Sequence, residues 1–206
     1  MPQSIIDLLM SAGLAGVAFL AFAEKYVPII PSYVMLAAFG ALGDEMEGGL
    51  AATVAAATLG SVAGALGWYS LGRLLSGRAE RLVARRGRYI LLTPKLYDRM
   101  RGAYGRHPFL VTLVAQTIPT VRIFIGLPAG VMRMPFRPYL AATVLGTLIW
   151  NAPLVMLGDV LAESRMDTAH VMMWFAAAIL GVEVTAFIVW RLMRRGGGGH
   201  GPGAVG

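Results

Sequence analysis

Residues 110–136 read LVTLVAQTIPTVRIFIGLPAGVMRMPF, an apolar stretch from Leu110 to Phe136 that contains Pro119 and Pro128 and carries Arg122 between them. An uninterrupted spanning helix is not written this way. Proline removes a backbone donor and clashes with the preceding turn. A charge about a dozen residues into an apolar segment is costly at membrane depth unless it faces protein or a water-filled cavity. Broken helices persist at that depth where they line a site. The stretch therefore predicts a site-forming segment in a protein that moves something across a membrane.

Composition agrees. The chain has 206 residues, 57% of them hydrophobic and 14% charged, with a mean hydropathy of +0.66. That profile belongs to a polytopic membrane protein and not to a soluble domain. There is no cysteine, and His107, His170 and His200 are scattered, so no disulfide, metal site or cofactor is expected. The net charge of +7 is unevenly distributed. Ten Lys/Arg and two acids fall between Arg73 and Arg106, a net +8, whereas the rest of the chain is at −1. Excess basicity confined to one loop between apolar segments is the positive-inside pattern, and it argues against a nucleic-acid partner. The start, MPQSIIDLL, has no basic region, and no cleaved signal peptide is expected.

Other apolar regions flank the broken one. Ser4 to Ala23 is long enough to span at about 20 residues per crossing. Tyr26 to Gly43 contains Pro28 and Pro31 and is short and interrupted. Gly48 to Leu75 is rich in small residues that allow close helix packing. Pro138 to Leu157 and His170 to Trp190 complete the set. The charge rule places the loop 73–106 and the tail beginning at Arg191 in the cytoplasm. Both ends of the broken stretch then lie inside, which makes it a re-entrant hairpin. Tyr26–Gly43 becomes a second hairpin entering from outside. The expected fold is an all-α integral membrane protein with two inverted re-entrant hairpin-plus-helix repeats and about four spanning helices. The repeats cover residues 24–75 and 107–158, joined by a basic loop over 76–106, within a single domain 1–195 followed by a Gly-rich tail 196–206. Within the loop, Thr93-Pro94 starts a helix whose apolar face carries Leu96, Tyr97, Met100 and Tyr104. With its basic residues, this helix is expected to lie on anionic lipid of the inner leaflet.

Several motifs in this order resemble the DedA family, also called VTT or SNARE-associated membrane proteins. EKYVPIIPSYVMLAAFG resembles the first family motif through Glu24, Pro28, Pro31 and Ser32. GALGWYSLGRLLSGR and GRYILL resemble the central one through Gly64, Gly67, Tyr69, Gly72, Arg73 and Gly87 to Tyr89. AQTIPTVRIFIGLPAGVMRMPFRPY and a later Trp150 resemble the last, through Pro119, Arg122, Pro128, Ala129, Gly130, Met134, Pro135 and Phe136. The resemblance covers roughly residues 15–160. It departs at two positions: Tyr33 stands where the family usually has an acid, and Gln116 where it usually has an arginine. The resemblance implies lipid translocation across a bacterial inner membrane, with undecaprenyl phosphate or a phospholipid as substrate and often a dependence on the proton gradient.

Arg122 is the leading candidate to hold a lipid phosphate, because a guanidinium presents a planar, permanently charged fork to phosphate oxygens. The structural alternative is an arginine that caps carbonyls of the broken helix. Glu24 is a candidate for proton coupling or gating, or else an interfacial carboxylate paired with Lys25 or Arg122. Gln116, Tyr33 and Ser32 are candidate lining residues. Pro28, Pro31, Pro119, Pro128 and Gly130 are expected to shape the hairpins. Glu183, inside the last apolar region, is a weaker proton-site candidate. Tyr69 and Arg73 read as an aromatic–basic anchor at the interface, and Trp68, Trp150, Trp174 and Trp190 as packing or interface residues. No nucleophile with a base beside it is evident, so no enzymatic activity is expected. A small-ion or drug-proton antiporter and a non-transporting membrane scaffold are the other readings.

Overall fold

A computed structural model of the chain describes residues 3–27, 31–86 and 102–164, with single positions between 170 and 185. Every regular element among them is helical. Pro28, Thr93 to Met100, Glu183, Trp190 and the Gly-rich tail lie outside the described residues.

Helix α1 runs Gln3–Ala23 and turns sharply at Gly13 (φ 52°, ψ −139°), a conformation that glycine adopts without a Cβ penalty. The first apolar region, expected to be long enough to span, is thus helical with a bend at Gly13. Helix α2, Ser32–Ala41, starts directly after Pro31. A tight turn through Gly48 and Gly49, both with positive φ, leads into α3, Gly49–Arg86. The first part of the expected basic loop is helical: α3 continues through Arg73 to Arg86. Lys and Arg do not end a helix, and a cationic C-terminal end suits the helix dipole.

The decisive stretch forms three short helices, α4 (Pro108–Gln116), α5 (Pro119–Phe124) and α6 (Gly126–Val131). Each break falls where a proline would have had to donate. Pro119 cannot bond to the Ala115 carbonyl, so α4 ends at Gln116. Pro128 cannot bond to the Phe124 carbonyl, so α5 ends at Phe124, although Ile125 itself keeps helical dihedrals (φ −59°, ψ −26°). Between the breaks the backbone is helical, so Arg122 projects from a helix and not from opened chain. Helix α7, Phe136–Glu163, follows. Of the described helices, α7 and the Gly49–Gly77 part of α3 are long and apolar enough to cross a bilayer.

The helices exchange partners. In the first half α1 packs on α3, and in the second half α4 packs on α7. The short helices cross over: α2 packs on α7, and α6 packs on α3. Each crossover is built from one glycine on each helix. A Cβ at Gly40 would lie 1.8 Å from the Val155 carbonyl oxygen, and one at Gly158 would lie 2.0 Å from that of Ala37. The other crossover repeats this with Gly72 against the Leu127 carbonyl (2.2 Å) and Gly130 against that of Tyr69 (2.0 Å). Such backbone contact is how apolar helices associate where lipid removes the hydrophobic drive.

Two apolar clusters result. One joins Val17 and Ala21 of α1, Leu36 and Phe39 of α2, Ala57 of α3 and Val155 of α7. The other gathers Tyr69, Tyr104, Ile125, Ala129, Met134 and Tyr139. Tyr69 is thus buried and is not an interface anchor. Its hydroxyl donates to the Met134 carbonyl at 2.6 Å, and its ring stacks on Tyr139 at 4.6 Å. Tyr104 is likewise packed against protein and not turned to a leaflet. The outer surface carries Phe19, Leu59, Leu110, Val114, Phe124, Ile149, Met156 and Val160, all more than 45% exposed. Apolar exposure on that scale suits a protein solvated by lipid.

Candidate functional site

Between the two clusters lies a polar centre. It is assembled from the C-terminal end of α1, the broken stretch and the middle of α7. Arg122 is 1% exposed. Its guanidinium carbon stands 4.7 Å from the centroid of the Trp150 ring, and Nη2 donates to Asn151 Oδ1 at 3.5 Å. Nε and Nη1 have no hydrogen-bond partner. A buried cation held by a π face and one long hydrogen bond keeps two strong donors available.

Glu24 and Lys25 are buried beside it. Lys25 Nζ stands 3.7 Å from Glu24 Oε2, an ion pair too long to be a hydrogen bond. Arg122 lies within electrostatic range of both. Among the described residues these three are the buried charged side chains. Two of them are basic and one is acidic. An excess positive charge in a low-dielectric centre favours an anion.

The turn that holds Glu24 and Lys25 is fixed from α3. Trp68 Nε1 donates to the Lys25 carbonyl at 2.8 Å, and the Tyr26 hydroxyl donates to the Gly64 carbonyl at 3.1 Å. Tyr26 and Trp68 stack at 5.5 Å, and Phe124 meets Trp68 edge-on at 6.1 Å. The aromatic group thus links the α1 turn to the helix that carries Arg122.

The structure brings Arg122 within electrostatic range of Glu24 and seats Gln116 against α7. Gln116 is buried, its stem lies against Gly146 of α7, one helical turn before Trp150, and its Nε2 is unpartnered. Ser32 and Tyr33 occupy the first turn of α2. Tyr33 packs against the α1–α2–α7 cluster that also receives Trp150. Pro31 caps α2, Pro119 opens α5, Pro128 is the third residue of α6, and Gly130 seats α6 on α3. Asn151 was not anticipated. A polar amide two residues before Pro153, between the apolar runs of α7, was its signal. Trp150 and Lys25 were expected only as packing and as a counter-ion.

The described residues define a helical membrane protein built around a buried polar group of two basic side chains and one acidic one. The VTT domain matches residues 30–160, and the chain belongs to that family, the DedA family its motifs resemble. It is similar to an alkaline phosphatase-like protein of Lactococcus lactis subsp. cremoris (strain MG1363), 35% identical over 94% of this chain and 91% of the relative. It is also similar to undecaprenyl phosphate transporter A of Staphylococcus aureus (strain NCTC 8325 / PS 47), 30% identical over 80% of this chain and 81% of the relative. The protein of that name from Bacillus subtilis (strain 168) is 27% identical over 94% of each chain. No solved structure matches the chain.

Proposed function

We propose that this protein is a lipid carrier that moves a phosphate-headed lipid across a bacterial inner membrane. Undecaprenyl phosphate is the first candidate substrate and a phospholipid the second. The observation that carries the reading is Arg122: fully buried, with Nε and Nη1 unpartnered and Trp150 behind it. One of those donors, together with the N–H of Nη2 that Asn151 does not take, forms the parallel pair that grips two phosphate oxygens. The relatives named for undecaprenyl phosphate support the lipid class.

In this reading the headgroup reaches the polar centre while the tail stays in hydrocarbon along the exposed apolar flanks of α4 and α5. The crossover of α2 onto α7 and of α6 onto α3 supports two opposed re-entrant hairpins, related by a pseudo-two-fold axis in the membrane plane. Together with the first and last apolar regions this gives about four spanning helices, with the basic segment and the C-terminus cytoplasmic. Glu24 gates the site by holding Lys25, and protonation of Glu24 would couple lipid entry to a proton. Gln116 lines the approach, with Ser32 and Tyr33 on the opposing hairpin.

The test is reconstitution of the full chain in liposomes with labelled undecaprenyl phosphate and phosphatidylethanolamine, with and without a pH gradient, beside Arg122→Ala. Movement of one lipid that the variant loses supports the carrier. A folded protein that moves neither overturns it in favour of a small-ion or drug-proton antiporter or a scaffold. Release of inorganic phosphate in the same vesicles would instead support an enzyme, as the Lactococcus relative's name suggests.

A further inference from the structure

We infer that Lys25 is the second phosphate-binding cation of this site, and the residue that selects a terminal phosphate monoester over a phosphodiester. This rests on the carrier reading above and assigns it a specificity determinant. Lys25 is 2% exposed, yet its Nζ makes no hydrogen bond; Glu24 Oε2 is its counter-ion at 3.7 Å. An ammonium group at that depth is costly unless it is paired and hydrogen-bonded. The fold nevertheless makes room for it. The Lys25 stem passes over α3 at Gly64, where a Cβ would lie 2.6 Å from Lys25 Cγ. Trp68 fixes the Lys25 backbone through its carbonyl. A thinned helix and a pinned backbone around one lysine are features of a built position, not of a stray surface charge.

The donors on the page match one kind of phosphate. Arg122 grips two oxygens with one of its unpartnered nitrogens and the free N–H of Nη2, and Lys25 Nζ is a further unpartnered donor within electrostatic range of that guanidinium. A monoester presents three terminal oxygens and a charge of roughly −1.5 to −2 near neutral pH. A diester presents two terminal oxygens and a single charge, both of which the Arg122 fork satisfies. The third oxygen and the extra charge are what Lys25 can read. On binding, that phosphate takes the place of the Glu24 carboxylate as the partner of Nζ. Gln116 brings no charge, so Lys25 is the cation that accompanies Arg122.

The experiment compares labelled phosphatidic acid, a monoester, with phosphatidylglycerol, a diester, on matched acyl chains in liposomes holding the full chain. Lys25→Met keeps the stem over Gly64 and removes the charge. It is expected to lower the ratio of phosphatidic acid to phosphatidylglycerol movement roughly 10- to 100-fold, the equivalent of one charge-assisted hydrogen bond. Lys25→Arg is expected to restore most of the ratio, and Arg122→Gln to slow both lipids. Gly64→Ala, which displaces the stem without touching the charge, is expected to lower the same ratio and serves if Lys25→Met does not fold. A ratio unchanged in Lys25→Met, or in Gly64→Ala where only that variant folds, overturns the inference while leaving the carrier intact. Wild-type protein that moves neither lipid overturns this inference, and the carrier reading falls with it only if undecaprenyl phosphate and phosphatidylethanolamine also stay in place.

Discussion

The guanidinium of Arg122 lies over the ring of Trp150 at 4.7 Å, joining the helix between two prolines to the middle of α7. The contact holds a buried cation without neutralising it. A carboxylate there would compete with an incoming anion, whereas a π face leaves the charge available. A desolvated cation–π contact is worth about 2 kcal/mol, a factor of roughly 30 in an equilibrium. Trp150→Leu is therefore expected to raise the lipid concentration for half-maximal movement by that order. Trp150→Phe, which keeps a smaller π face, is expected to lose much less. Equal behaviour of the two in vesicle assays would reduce Trp150 to packing.

The glycine pairs at the crossovers make a structural prediction. Gly130→Ala puts a Cβ 2.0 Å from the Tyr69 carbonyl, and Gly158→Ala puts one 2.0 Å from that of Ala37. Backbone cannot yield as a side chain can, so each variant is expected to lose about 1–3 kcal/mol. Thermal unfolding in detergent should show lower midpoints for both. Gly77 on α3 has nothing within 4 Å of its would-be Cβ, so Gly77→Ala is expected to be neutral or to stabilise by up to about 1 kcal/mol. If Gly77→Ala destabilises as much as the crossover variants, close packing is not what those glycines serve.

The same contrast separates what was legible in the sequence from what was not. Pro119 and Pro128 announced the breaks, because a missing donor has a fixed consequence four residues back. The membrane character was legible in composition, and the family in motif order. Gly13 was harder, since a glycine within an apolar run reads equally as a packing residue or a bend. The helix beyond Arg73 was not legible because charge marks where a helix leaves the bilayer and not where it stops. Tyr69 read as a belt residue until α6 and Tyr139 covered it. Asn151 and Lys25 were illegible as site residues because their role comes from contacts across elements that sequence spacing does not encode.

Arg133 occupies the left-handed region (φ 53°) at the end of α6, where glycine is usual. Met134 N–H donates to the Ala129 carbonyl and Arg133 N–H to that of Gly130, the paired closure of a Schellman turn. Its Nε also donates to Ser76 Oγ on α3 at 3.0 Å, so the strained residue ties the broken stretch to the long helix. Left-handed backbone costs a non-glycine residue about 1 kcal/mol, near the value of one hydrogen bond. Arg133→Gly removes both terms and is expected to be nearly neutral. Arg133→Ala keeps the strain and loses the bond, and is expected to lower stability by about 1 kcal/mol. Thermal midpoints of the two variants, compared directly, decide it: a less stable glycine variant would refute the strain argument.

Gln116 offers the sharpest separation of site from scaffold. It is buried against Gly146 at the end of α4, with an unpartnered Nε2. An amide kept only for packing is replaceable by an apolar side chain of similar length, because removing an unsatisfied buried donor relieves a desolvation cost. Gln116→Leu is therefore expected to fold as well as wild type or slightly better. If Gln116 lines the lipid path, the same variant is expected to slow movement about tenfold, the loss of a hydrogen bond worth about 1.4 kcal/mol to the headgroup. Unchanged stability with slowed movement would assign the residue to the site. Unchanged movement would leave it as the filler between α4 and α7, and the headgroup would then be held by the cluster of Glu24, Lys25, Arg122 and Asn151 alone.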